Sequence, residues 1–75
     1  MGDVQLLFHR SLYRPDSVRT ALARFSHLSR IQVQDVETGT LVTLSEFAER
    51  LRPRLPWEVA NHVLFQTTVD GRSGL

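Results

Sequence analysis

Hydrophobic residues recur with two different periods along the first part of the chain. In DVQLLFHRSLY, residues 3–13, Val4, Leu6 and Phe8 alternate with polar or mixed positions, a pattern typical of a strand with one apolar face. In RPDSVRTALARFSHL, residues 14–28, the period changes to that of a helix, and Pro15 suits a first helical turn. The apolar residues that share one side of this helix are Val18, Ala21, Leu22, Phe25 and Leu28.

The second part of the chain predicts a hairpin and two helices. RIQVQDV and LVTL flank the Gly-bearing turn at residues 37–40, which indicates two antiparallel strands. Ser45 is expected to cap a short helix, SEFAERL, that Pro53 interrupts. A last helix is predicted from near Pro56 to about Val69, and a flexible tail from about residue 70.

These elements predict one small α+β domain over residues 1–75, with the order β-α-β-β-α-α. A helical crossover makes the first two strands parallel neighbours or near neighbours, and the helices should pack on one face of a three-stranded sheet. The expected architecture is a truncated ferredoxin-like fold. Its open sheet edges could pair with a second copy of the chain or with an extended peptide.

Composition narrows the functional class. The net charge is +1, from nine basic residues, all arginine, and eight acidic ones, so nucleic-acid binding is not expected. The chain has no cysteine, which excludes disulfides and cysteine-ligated metals within it. The longest unbroken apolar runs, such as 63–65, are too short for a membrane span, and the first residues do not resemble a signal peptide. We therefore expect a soluble, cytoplasmic protein.

No pattern in the sequence indicates catalysis. The three histidines, His9, His27 and His62, lie on different predicted elements without metal-binding spacing. No serine lies in a nucleophile motif, and no glycine-rich phosphate loop is present. We expect neither a metal nor a cofactor, and no enzymatic activity. A small enzyme using His62 or Glu58 as a base is the least favoured alternative.

The last predicted helix has two sides of different character. The side expected to face the core comprises Trp57, Ala60, Val63, Leu64 and Thr67. The other side combines an apolar centre with a polar rim, as interfaces commonly do, and is predicted to bind a partner through Glu58, Asn61, His62, Phe65 and Val69. The segment before this helix carries three alternating arginines, which suit a carboxylate-rich partner. The predicted partner-binding site therefore also includes Arg50, Arg52 and Arg54.

From about Phe8 to Arg72 the chain resembles the His-Xaa-Ser system protein D family. The segments that carry the resemblance are SLYRPDSVRTALARFSHLSRIQV, LVTL and LPWEVANHVLFQTTVDGR. Its marker positions are Tyr13, Ala21, Phe25, Glu58, Asn61, Leu64 and Arg72. The resemblance implies an accessory protein encoded beside a radical-SAM enzyme that modifies a ribosomally made peptide, and it implies no catalytic residues.

Two functional hypotheses follow from these observations. The first is a non-catalytic binding module that assists a radical-SAM maturase by docking to the enzyme, to its precursor peptide, or to both. The second is a self-associating regulatory domain, in which two sheets join edge to edge as a homodimer and bind a small molecule at the seam.

Overall fold

The computed structural model describes the backbone of residues 3–73 and the side chains of residues 3–70. Its three strands, its first helix and its last helix follow one another in the predicted order, and the α+β class is confirmed. In chain order they are β1 (Val4–His9), α1 (Pro15–Leu22), a 3₁₀ turn (Ala23–Phe25), β2 (Arg30–Val36), β3 (Gly39–Ser45), a second 3₁₀ turn (Glu49–Leu51) and α2 (Leu55–Ser73).

The three strands form an antiparallel sheet with the order β1-β3-β2. Both β1 and β2 run antiparallel to β3, and Leu6, Val42 and Val33 lie side by side across the sheet. Because β1 and β2 share one neighbour, they are parallel to each other and separated by a single strand. This agrees with the near-neighbour arrangement expected from the helical crossover.

One face of the sheet carries the core. The central strand contributes Val42 and Leu44, both fully buried, and β1 contributes Phe8. The two helices cover this face with apolar side chains that are likewise buried, namely Val18, Ala21, Leu22, Leu55, Val59 and Val63. On the opposite face Gln5, Leu7 and Gln32 are exposed, as strand alternation requires.

The segment after β3 differs from the prediction. Ser45 is not a helix cap but the last residue of β3, where it pairs with Arg30 and its carbonyl accepts a 2.8 Å hydrogen bond from Ser29 Oγ. Glu46 follows with a φ of 52°, in the left-handed region. The expected helix is reduced to the 3₁₀ turn Glu49–Leu51. Ser45, its expected first residue, is paired in the sheet instead, and Pro53 prevents the turn from continuing as a helix.

The last helix is longer than the sequence pattern indicated. It begins at Leu55 and continues to Ser73, four residues beyond the expected end at Val69. The predicted tail from about residue 70 therefore starts as helix, and its last two residues, 74–75, lie outside the described residues.

A polar contact near the end of α2 fixes this helix against α1. The hydroxyl of Ser17, which is fully buried, donates a hydrogen bond to Asp70 Oδ2, and Gln66 Nε2 donates to Asp70 Oδ1 at 3.0 Å. These two hydrogen bonds, with the charge of Arg14, hold the pKa of Asp70 below its usual value against the opposing effect of desolvation. The angular position of α2, and so the side chains that it exposes, is determined by this contact and by the core.

Candidate protein-binding site

The buried side of α2 differs from the predicted one. Among the described side chains of α2, those buried in the core are Leu55, Val59 and Val63, spaced four residues apart. Trp57 and Leu64 were assigned to the core by their helical spacing, and that assignment is wrong: they are 70% and 53% exposed. At about 100° per residue they lie more than a quarter turn around the helix from Val63.

The exposed surface of α2 is unusually apolar. Besides Trp57 and Leu64, Phe65 is 61% exposed and Val69 is 38% exposed. Between Glu58 and Asp70 the helix carries no aspartate, glutamate, lysine or arginine. Single exposed apolar residues are common on protein surfaces, but several along one uncharged stretch of a helix form the kind of apolar surface that marks interaction sites.

Most of the predicted partner-binding residues of α2 lie together on its outward side. Glu58, Asn61, Phe65 and Val69 are all exposed, and their spacings of three, four and seven residues place them on one face of the helix. We call this set the Phe65 face. It has Phe65 and Val69 as its apolar centre and the carboxylate and amide of the other two residues at its rim.

His62 lies at the side of the Phe65 face and is half-buried rather than exposed. Its ring meets Phe25 edge to face at a centroid distance of 5.7 Å, and it lies 6.0 Å from the ring of Phe65. Its Nε2 atom is buried and makes no hydrogen bond within the described residues. His62 therefore packs between Phe25 and Phe65, and supports Phe65 from the α1 side.

The three arginines predicted to meet a partner have different surroundings. Arg52 makes a 2.7 Å ion pair with Glu49, and its guanidinium lies 5.1 Å from the ring centroid of Phe47. The hydrogen bond between Glu49 and Arg52 lowers the pKa of Glu49 and raises that of Arg52. Arg50 and Arg54 are exposed, and Arg54 immediately precedes α2. Arg52 is thus used within the chain, whereas Arg50 and Arg54 present their charges to solvent.

The three histidines lie on different elements of the structure. His9 on β1 and His27 on the segment before β2 are exposed, whereas His62 on α2 is half-buried. Within the described residues, no group of three or more histidine, cysteine or acidic side chains is placed to hold a metal ion. No helix in that same part of the chain is long and apolar enough to cross a membrane.

Sequence comparison adds no further information about this surface. No protein-family model, curated protein or solved structure matches the chain. The resemblance to His-Xaa-Ser system protein D therefore stays a prediction, and the functional argument depends on the geometry of α2.

Two features of the site were missed in the sequence. The exposure of Trp57 and Leu64 was missed because their spacing also fits a core stripe. Leu55 was missed because helix initiation was placed at Pro56, one residue too late. A leucine just before a proline at a helix start could have been recognised as a first-turn core residue, since proline is favoured at that position.

Proposed function

We propose that this chain is a non-catalytic binding module that docks onto a partner protein through the Phe65 face. The observation that carries the proposal is Phe65 itself, an aromatic side chain that is exposed to solvent and is supported from one side by His62, which in turn packs on Phe25. An aromatic side chain held in place loses little conformational freedom on binding, which suits it to anchor an interface.

The size of the expected effect can be worked out from the exposure of Phe65. A buried aromatic side chain removes about 150–250 Å² from water, so a side chain that is 61% exposed can still bury roughly 90–150 Å² against a partner. At about 25 cal/mol per Å² this corresponds to ~2–4 kcal/mol. Truncating it should therefore weaken binding by tenfold or more.

The resemblance to His-Xaa-Ser system protein D suggests what the partner is. In this proposal the partner is a radical-SAM maturase, its precursor peptide, or both, in the cytoplasm. The Phe65 face supports a protein partner in general, because it combines an apolar centre with a polar rim. The exposed Arg50 and Arg54, next to the start of α2, would favour acidic groups at the edge of the contact.

Co-purification with a radical-SAM enzyme encoded beside the chain tests the proposal. Phe65→Ala and Asn61→Ala should lower the recovery of the enzyme while the circular dichroism spectrum and melting temperature stay close to those of the original chain. Leu12→Ala is the matched control, because Leu12 is a 68% exposed apolar residue outside the Phe65 face. Full recovery of the enzyme with both face variants would refute docking through this face.

The alternative of a self-associating domain makes a different prediction. A dimer joined at the sheet edges should form without any other protein and should be visible by sedimentation at micromolar concentration. It would also be insensitive to Phe65→Ala, because that side chain lies on the outward side of α2 and not at the sheet.

A further inference from the structure

The outer edge of β1 has backbone groups that no other described strand pairs with. β1 lies at one side of the sheet, next to β3. The amide of Arg10 donates a 2.9 Å hydrogen bond to the carbonyl of Thr38, which continues the β1–β3 register. Because hydrogen-bonded positions alternate along an antiparallel pair, the even-numbered residues of β1 direct their N–H and C=O groups towards β3. Gln5 and Leu7 therefore direct theirs outward, away from the sheet.

The two edges of the sheet differ in how they are protected. On β2, Asp35 lies on the same side of the sheet as the buried Thr40 and makes a 3.1 Å ion pair with Arg19 of α1. A charge on the core side of an edge strand discourages other strands from pairing with it. In contrast, the stretch VQLLF at residues 4–8 has neither a charged residue nor a proline. The edge of β1 is the one that remains suited to strand addition.

The core is covered less completely along β1 than on the central strand. Val4 and Leu6 are half-buried, whereas the residues that pair with them, Leu44 and Val42, are fully buried. All four side chains point to the same side of the sheet, because directly opposite residues of paired strands share a face. A further strand beside β1 would cover Val4 and Leu6 and would also pair the outward backbone groups.

Charges of opposite sign flank the two ends of β1. Asp3 immediately precedes the strand, His9 is its last residue and Arg10 follows, and all three are exposed. When two copies of β1 run antiparallel, the acidic end of each meets the basic end of the other. Opposite charges that face each other across two strands stabilise the pair, whereas like charges destabilise it. The charges around β1 therefore suit a second copy of β1, related to the first by a two-fold axis.

The register of this pair follows from the outward groups of Gln5 and Leu7. Placing Gln5 of each copy opposite Leu7 of the other joins these groups by hydrogen bonds and centres the pair on Leu6. Leu6 then faces Leu6 of the second copy at a non-hydrogen-bonded position, where side chains approach closely. Val4 comes opposite Phe8 of the second copy, so the whole uncharged stretch pairs with itself.

We propose that β1 of one chain pairs with β1 of a second copy, antiparallel and centred on Leu6, to form a continuous six-stranded sheet. In this register Asp3 of each chain lies opposite His9 of the other and next to Arg10. The contact is short, so the dimer belongs to the weak, transient class of assemblies. The edge-to-edge homodimer thus acquires a definite edge and register. It is compatible with docking through the Phe65 face, which each chain would still carry.

Sedimentation and amide hydrogen exchange of the original chain test the proposal. When the chain concentration rises from about 10 µM to about 1 mM, the average mass should rise towards that of a dimer. Over the same range, exchange at the amides of Gln5 and Leu7 should slow by about threefold or more. The corresponding outward amides of β2, at Ile31 and Val33, are the internal control and should exchange at an unchanged rate.

Two charge variants test the register. Asp3→Arg and His9→Asp each place like charges opposite each other twice in a symmetric dimer, and each should weaken self-association by about fivefold or more. Mixed in equal amounts, the two variants should pair with each other about as tightly as the original chain pairs with itself, because both contacts then join opposite charges. Asp16→Arg is the matched control, since it makes the same charge change at an exposed position of α1 and should leave self-association unchanged.

Four results would overturn the proposal. The first is a chain that stays monomeric at about 1 mM, even if it still docks onto a partner through the Phe65 face. The second is concentration-dependent slowing of exchange at Ile31 and Val33 in place of Gln5 and Leu7. The third is a dimer that Phe65→Ala dissociates, which would assign the contact to the Phe65 face. The fourth is a mixture of the two charge variants that associates no better than either variant alone.

Discussion

Gly39→Ala is the substitution for which the structure gives the clearest steric expectation. Gly39 begins β3 and lies opposite His9 of β1. A Cβ atom at this position would be 2.1 Å from the carbonyl oxygen of Phe8 and 2.9 Å from His9 Cα. These neighbours are backbone atoms, which cannot rotate away as a side chain can. The β1 backbone must therefore move by about 1 Å or more to restore an ordinary contact.

The cost of this movement follows from the bonds that it disturbs. The nearest ones are the hydrogen bond from the amide of Arg10 to Thr38 and the pairing of Phe8 with Thr40. Each intramolecular hydrogen bond contributes about 0.5–1.5 kcal/mol net, and overpacking at a tight site costs about 1–3 kcal/mol. We expect Gly39→Ala to lower the free energy of unfolding by about 2–4 kcal/mol, a large part of the stability of a small domain.

Urea unfolding followed by circular dichroism measures this loss. The midpoint should fall while the slope of the transition stays the same. Thr38→Ala is the control, because Thr38 is an exposed neighbour whose backbone carbonyl, not its side chain, accepts the hydrogen bond from Arg10. This substitution should change the free energy of unfolding by no more than about 0.5 kcal/mol. A Gly39→Ala variant as stable as this control would refute the close approach of β1 and β3.

Two further predictions concern the core and the contact between the helices. Leu44→Ala, at a fully buried position of the central strand, should lower the free energy of unfolding by about 2–5 kcal/mol. Leu7→Ala, on the open face of the sheet, should lower it by under about 1 kcal/mol. Equal losses in urea titrations would contradict the assignment of Leu44 to the buried face and Leu7 to the open face. The hydrogen bonds from Ser17 and Gln66 lower the pKa of Asp70 in the folded chain. The stability that these bonds contribute is therefore fully present above the pKa of an unfolded aspartate, about 3.9, and is lost as the pH falls through the lower pKa of the folded state. Asp70→Asn should therefore destabilise the chain at pH 7, and its difference from the original should shrink below about pH 4; a difference that stays constant in acid would show that the carboxylate charge is not involved.

The strands and the first helix could be predicted because their apolar residues have a single period. Val4, Leu6 and Phe8 alternate, and the same three residues point towards the helices in the structure. The tight link between β2 and β3 was also readable, since Gly39 marks a turn. The short helix after β3 could not be excluded from sequence, because Ser45 has a high preference for a helix cap and only its pairing with Arg30 reveals the strand.

The buried side of α2 could not be identified from the sequence, and the reason bears on function. Apolar residues occur on several sides of this helix, so the helical period alone does not distinguish Val59 and Val63, which are buried, from Trp57 and Leu64, which are exposed. A helix that met only water on its outer sides would carry charges there, and its buried side would then be evident. The ambiguity therefore has a physical origin: α2 has one apolar side for the core of this chain and further apolar surface on two other sides. One of these is the Phe65 face, and the other carries Trp57 and Leu64.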